Sequence, residues 1–243
     1  MKVFGKNPVI ERLRTSPETI RKIYLQEGSD FADILRKKAV AKHIPLFIIP
    51  RAKMMKLGRN TNTQGVLAEV DDFAYANYNE ILDNAFEKKK TIVFLDGIND
   101  PQNFGAIIRS LACLGRFAIV IPSHDSVSVT ESVLRVASGG DNYVPIALVS
   151  NLSNAIKAAK EKGFIIAGAV VEGGKSIFEA QLRFPLGLVI GSEQKGIRTF
   201  IQQQLDNKIT IPMSAQTLSF NVAQAATILA FEITRRKNEK KHQ

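Results

Sequence analysis

The chain has 243 residues, 45% of them hydrophobic, with a net charge of +10, one cysteine and three histidines. It is long enough to bury a core in one large domain or two small ones, and it excludes a disulfide framework and a histidine–cysteine metal cluster; no metal is expected, and the setting is expected to be reducing and cytoplasmic. The opening "MKVFGKNPVIERL" lacks the apolar centre of a signal peptide and no apolar run approaches the ~20 residues of a membrane span, so neither export nor membrane insertion is expected.

The charge is unevenly placed. Residues 1–72 carry 14 Lys and Arg against 8 Asp and Glu, residues 235–243 carry 5 against 1, and residues 73–234 carry 14 of each. A neutral middle flanked by basic ends suits a protein that grips a polyanion, and nucleic acid is the favoured partner.

In chain order, residues 1–72 read as a small α/β domain. A helix is expected in "NPVIERL", with Asn7 as cap and Pro8 in the first turn, then a strand "KIYLQ", a helix "DFADILRKKAVAKH", and strands "LFII" and "QGVLAEV". Its basic residues Lys37, Lys38, Arg51, Lys53 and Lys56 are the candidate nucleic-acid contacts. Residues 73–90 read as a linker containing a helix in "NYNEILDNAFEKKK". From Thr91 the strands "TIVFL", "FAIVIP", "YVPIAL", "FIIAGAVV", "PLGLVIG" and "KITIP" alternate with helical segments, as in a mostly parallel sheet covered on both faces. Ligands of such sheets sit beyond the carboxyl ends of the strands. Residues 91–243 form this second domain and end in the basic tail "RRKNEKKHQ".

Three segments carry candidate chemistry. In "LDGINDPQNFGAIIRSLACLG" a strand turns into a helix that Asn103 is expected to cap, and Gly105 just inside it suggests a close backbone approach. The helical neighbours of Arg109, namely Gly105, Ala106, Ala112 and Cys113, are all small, so its guanidinium stands bare and suits a phosphate or carboxylate. A solvated surface arginine is the bland alternative. In "PLGLVIGSEQKGIR" glycines bracket Glu193 at the end of an apolar strand, either as a ligand-facing loop or as a plain turn. In "KITIPMSAQTLSFNVAQAATILAFEI" Ser219 and Asn221 open an alanine-rich helix, where a serine is commonly just a cap. "AVVEGGKS" imitates a phosphate-binding loop, but Ala169, Val170 and Val171 read as strand, Glu172 brings negative charge, and the next residues, "SIFEAQLRFP", make a short helix at best. Nucleotide hydrolysis is therefore disfavoured.

Taken together, "NDPQNFGAIIRS", "VIGSEQKGI" and "IPMSAQTLSFNVAQA" resemble the three motifs of the SpoU (TrmH-like) family of RNA ribose 2′-O-methyltransferases. More weakly, "FGKNPVIERL" and "TQGVLAEV" resemble the ends of the ribosomal-protein-like RNA-binding domain of the bacterial 23S rRNA guanosine-2′-O-methyltransferase subgroup. The resemblance implies an α/β SPOUT fold with a deep C-terminal trefoil knot, S-adenosylmethionine (AdoMet) as cofactor, and a homodimer whose active site is completed across the interface. It implies catalytic roles for Asn103, Arg109, Glu193, Ser219 and Asn221, and cofactor contacts at Ala167, Gly168, Ala169, Gly191, Gly196, Ile211, Leu218 and Phe220. The expected substrate is a guanosine in 23S rRNA; the alternatives are a tRNA methyltransferase and a non-catalytic RNA-binding or ribosome-assembly factor. Three positions depart from the family pattern: Ala215 in place of glycine, Phe220 in place of leucine, and Ala223 where serine is frequent.

Overall fold

The computed structural model describes residues 1–59, 61–214 and 218–239. In chain order the elements begin with β1 (Lys2–Phe4), α1 (Lys6–Thr15), β2 (Ile20–Gln26), α2 (Ala32–Ala41), β3 (Leu46–Ile49), α3 (Arg51–Leu57), β4 (Val66–Val70) and α4 (Tyr78–Glu87). They continue with β5 (Thr91–Asp96), α5 (Pro101–Leu114), β6 (Phe117–Pro122), α6 (Glu131–Ala137), β7 (Ile146–Val149), α7 (Leu152–Glu161) and β8 (Ile165–Ala169). The last are β9 (Lys175–Ser176), β10 (Leu186–Gly191), α8 (Thr199–Gln202), β11 (Asn207–Thr210) and α9 (Val222–Glu239). Ala215, one of the three departures from the family pattern, lies outside the described residues.

The chain forms two compact units, Met1–Ala74 with Val129–Tyr143, and Tyr75–Ser128 with Val144–Gln243. This division differs from the contiguous one expected. The stretch read as a linker holds α4, whose Ile81, Leu82 and Ala85 are buried in the core of the second unit. The segment around α6 leaves the second unit's sequence and joins the first: Glu131 accepts a hydrogen bond from the Lys2 N–H at 2.8 Å, and the buried Asp141 pairs with Arg12 on α1. Burial pushes the Asp141 carboxyl up, and the Arg12 charge only partly offsets this.

In the first unit a four-stranded sheet runs in the order β1-β4-β2-β3, with β2 and β3 parallel and the other pairs antiparallel. Strand β1 is too short to show any alternation and exists through its pairing with β4. Helix α1 starts at Lys6 with Gly5, at φ 95°, as its cap, so Asn7 lies inside the first turn instead of capping it. The chain leaves β1 at Phe4 and must turn within a single residue, which at positive φ suits glycine alone.

In the second unit seven strands run in the order β7-β6-β5-β10-β8-β11-β9, and every neighbouring pair is parallel. All residues of β5, β6 and β10 are buried, which explains why these strands read as continuous apolar runs. One part of the core packs Ile92, Phe94, Ile166 and Val189 against Ile81 and Leu82 of α4 and Ile156 and Ala159 of α7. Helix α5 lies against α9, with Thr227 donating to the Ser110 hydroxyl at 2.7 Å. The carboxyl ends of β5, β8, β10 and β11 therefore open together, and the loops beyond them build the candidate site.

Candidate active site

Helix α5 is capped by Asp100, which accepts from the Gln102 N–H at 2.9 Å, with Pro101 in its first turn. The expected cap, Asn103, sits inside the helix instead. The aspartate–proline pair suits cap and first helical position better, and it leaves the Asn103 side chain free.

Strand β10 ends at Gly191, and the chain doubles back at once: Ser192 and Gly196 exchange two backbone hydrogen bonds of 3.2 and 2.9 Å. A Cβ on Gly191 would lie 2.1 Å from the Gly196 carbonyl carbon and 2.2 Å from the Ile197 nitrogen, so only glycine fits. Gly196 itself has φ 62°. The loop thus closed, residues 192–196, carries Glu193.

Asn221 caps α9. Its Oδ1 accepts from the Ala223 N–H at 2.8 Å, while Gln224 Oε1 accepts from the Asn221 N–H at 3.3 Å, a reciprocal arrangement. The amide nitrogen of the same side chain donates to Asn103 Oδ1 at 3.0 Å and to Glu193 Oε1 at 2.9 Å. Asn103 Nδ2 donates to the same Glu193 oxygen at 2.6 Å. Three residues from separate segments are joined into one polar cluster, with the second carboxylate oxygen of Glu193 left for another donor.

The cluster stands between two clefts. The larger, about 690 Å³, is lined by Ala169, Glu172, Gly191, Gly196, Ile211, Ser219 and Phe220 together with apolar residues including Ile190, Ile209 and Leu229. The smaller, about 490 Å³, is lined by Asp96, Asn103, Asp125, Lys195 and Arg198. Ser192, Glu193, Gly196 and Val222 line both, so the loop after β10 is the partition.

The structure does not bring every expected residue to the cleft. Ala167 is fully buried in β8, and Gly168 is a packing glycine, since a Cβ there would lie 2.3 Å from Leu205 Cδ1. Leu218 is 68% exposed and is not among the lining residues. Arg109 is exposed and, among the described residues, makes no side-chain hydrogen bond or ion pair. Six positions beyond Asn103, it lies about 9 Å further along α5 and about 120° round it, away from the cluster. The five candidate RNA contacts are all exposed, Lys37 and Lys38 on α2, Arg51, Lys53 and Lys56 on α3. In "AVVEGGKS" the strand ends at Ala169, and a turn comes after Ser176, so no helix N-terminus faces a would-be phosphate. Among the described residues no group of three metal-ligating side chains occurs, and no helix is long and apolar enough to cross a membrane.

Sequence reasoning missed Asp96 and Arg198. Asp96 ends β5 with its side chain fully buried; it accepts from the Arg198 N–H at 2.8 Å and from the Arg198 guanidinium at 2.6 Å. The pair fastens the far end of the loop after β10 to β5, and the Arg198 guanidinium also lies 5.1 Å from the centre of the Phe200 ring. The readable signal was a carboxylate closing an otherwise apolar strand, because a buried charge needs a partner.

Comparison with known proteins matches both parts of the chain. The model of the SpoU rRNA Methylase family matches residues 90–231, and that described as RNA 2'-O ribose methyltransferase substrate binding matches residues 2–76. A protein of Staphylococcus epidermidis assigned to the TrmH family of tRNA/rRNA methyltransferases is 34% identical over 98% of this chain and 96% of its own length. Among solved structures, the AdoMet complex of the SpoU methyltransferase AviRb from Streptomyces viridochromogenes superposes with a TM-score of 0.81 at 21% identity, covering 98% of this chain and 91% of that one. The AdoMet-bound rRNA methyltransferase from Sinorhizobium meliloti superposes at 0.80 with 22% identity, covering 97% and 87%. The fold is thus the SPOUT-type α/β fold with a parallel sheet and a small additional α/β unit, and the placing of β10 between β5 and β8 accords with a knotted chain.

Proposed function

This chain belongs to the SpoU rRNA methylase family, and we propose from that membership and the geometry of the cleft that it is an AdoMet-dependent RNA ribose 2′-O-methyltransferase acting on a guanosine of 23S rRNA. The observation that carries the reading is the hydrogen-bonded cluster of Asn103, Glu193 and Asn221 between the two clefts, with Glu193 and Asn221 on the wall of the larger, at the carboxyl ends of the parallel strands. The cleft suits the cofactor. Its volume lies within the usual ligand range of about 300–1,000 Å³, Ile190, Ile209, Ile211 and Phe220 offer apolar walls to an adenine, and Glu172 and Glu193 supply negative charge for a cationic ligand. The departure at Phe220 enlarges this apolar wall, whereas Ala223 is buried behind the helix cap.

When bound, AdoMet supplies an electrophilic methyl group on a sulfonium. The protein's task is to orient a ribose hydroxyl and ease the loss of its proton. Asn103 and Asn221 present amide groups beside Glu193, suited to holding a sugar edge, and Ser219 lines the cleft next to them. Arg109 holds the phosphate next to the target ribose and stabilises the charge growing on the 2′-oxygen. The hydroxyl proton passes to that phosphate as the methyl group arrives. Six positions beyond Asn103 on α5 and, among the described residues, without a side-chain bond to the cluster of its own chain, Arg109 is assigned to a second copy's site. Helix α9, packed on α5, leaves Phe231 60% exposed, an apolar surface suited to such a homodimer. The basic α/β unit holds the RNA. The match of residues 2–76 supports an RNA substrate, and the finer choice of 23S rRNA rests on the likeness of "FGKNPVIERL" and "TQGVLAEV" to that subgroup.

The test is incubation with methyl-labelled AdoMet and separated rRNA and tRNA, with mapping of alkali-resistant linkages. Label in one guanosine of 23S rRNA is expected. Label in tRNA alone overturns the substrate, and no label in any RNA overturns the activity. Arg109→Ala and Glu193→Ala subunits, each inactive alone, should regain roughly a quarter of normal turnover when mixed, because half the dimers then hold one complete site. No recovery on mixing places Arg109 outside a shared site.

A further inference from the structure

One face of the first unit's sheet carries a feature that the methyl-transfer site does not use. The strand registers place Phe4, Leu67, Tyr24 and Phe47 opposite one another, one from each of β1, β4, β2 and β3. Phe4, on the opposite edge strand β1, and Leu67 are covered: they pack with Ile49 and with Met54 of α3. Exposure grows toward the edge of the sheet, from Leu67 at 0% to Phe47 at 48% on the edge strand β3. The Tyr24 and Phe47 rings lie 5.8 Å apart, tilted by 31°. Lys22 holds its ammonium 5.6 Å from the Tyr24 ring centre while pairing with Glu69 at 3.0 Å. Beyond Ile49 the chain turns through Pro50 directly into α3, so the exposed Arg51 comes within about 14 Å of Phe47, with Lys53 and Lys56 further along the same helix.

A half-exposed ring on an edge strand is a liability in a protein that merely needs to stay soluble. Here a second ring lies beside it on the neighbouring strand, a lysine ammonium stands over that second ring, and a basic helix begins four residues further on. That pairing matches one kind of ligand, an unpaired nucleotide, whose base has a flat apolar face to stack and whose phosphates need positive charge. We propose that Phe47, with Tyr24 beside it, is a stacking platform for an unpaired base of the RNA substrate, with Arg51, Lys53 and Lys56 holding the adjoining phosphates. The proposal rests on the reading of the chain as an RNA-modifying enzyme and adds which form of RNA the first unit selects. Lys37 and Lys38, on α2, have no part in it.

The chain contains no tryptophan, so Phe47→Trp in the full-length protein introduces a single indole at the platform. Its fluorescence should be quenched by a short single-stranded oligoribonucleotide and unchanged by the same sequence in a duplex. In parallel, polarisation of the labelled single strand should show Phe47→Ala binding about tenfold more weakly than wild type, Phe47→Tyr binding like wild type, and all three sharing one salt dependence, because stacking releases no counterions. Binding that leaves the indole unquenched, or wild-type affinity in Phe47→Ala, overturns the platform while the enzyme reading stands. An indole signal that depends on protein concentration without RNA assigns the edge to self-association and also overturns it. If the wild-type chain binds no RNA, both readings fall.

Discussion

The two sheets of this protein handle their surfaces in opposite ways. In the second unit β5, β6 and β10 are sealed on both faces, so only their last residues, Asp96, Ile190 and Gly191, reach a cleft, and the chemistry has moved to the loops at their carboxyl ends. The first unit leaves part of one sheet face and one edge open, and there the strands themselves offer side chains, Lys22, Tyr24 and Phe47. A sealed sheet makes a site from backbone turns and tolerates almost no added atom. An open face makes a site from side chains on a rigid support, where single replacements change affinity and little else.

Gly191→Ala tests the sealed half most severely. The new methyl would collide with backbone of the returning loop, and a stability loss of about 3 kcal/mol with methyl transfer below detection is expected by urea denaturation and activity assay. A folded, active variant would show that the turn is not confined as described. Asp96→Ala should cost about 2 kcal/mol, less than a wholly buried pair because Arg198 is 35% exposed. Its signature is faster hydrogen exchange confined to the loop after β10; uniform exchange along the chain would instead mean a general loss of stability.

On the open half, Lys53→Glu with Lys56→Glu should weaken RNA binding several-fold and lower the salt slope by roughly two, with the denaturation midpoint unmoved. A shifted midpoint would contradict the picture of solvated cations on a rigid support.

The smallest effect separates the units by acid. Hydrogen bonds from Arg235 first, then Arg236, hold the Glu232 carboxyl on α9 down at about 2. Its stabilising contribution is complete above the unfolded value of 4.5 and is lost as pH falls toward 2. Asp141 in the first unit has its pKa raised by burial, so its ionised form is disfavoured in the fold and acid relieves that cost. As pH falls from about 5 to about 3, amide protection relative to the free-peptide rate should fall near α9 while that around Asp141 does not, and Glu232→Gln should abolish the difference. An equal fall in both places would refute the contrast.

Much of this is legible in the chain without the structure. The continuous apolar runs of β5, β6 and β10, the placing of Glu193 between glycines and the polar opening of α9 at Asn221 all rest on local composition. The cap also shows why such readings stay incomplete: Asn221 is both a helix cap and a member of the polar cluster, because its carbonyl serves one role and its amide the other. Strand β1 and helix α3 escape sequence reasoning, the first for its three residues and the second for its short exposed turn. The preference of asparagine for helix caps points to Asn7 and Asn103. Gly5 and Asp100 take those places because a one-residue turn and an adjacent proline outweigh that preference.

By itself the sequence determined the local choices: where strands run, which glycines turn, and which side chains are polar among apolar neighbours. These depend on a residue and its near neighbours, through propensity and periodicity. Only the tertiary structure decided that Asn103, Glu193 and Asn221 share one set of hydrogen bonds and that Val129–Tyr143 leaves its sequence neighbours for the first unit. Those outcomes depend on contacts between residues far apart in the chain, such as Asp96 with Arg198 or Arg12 with Asp141, and the free energy of a long-range contact is written in no window of the sequence.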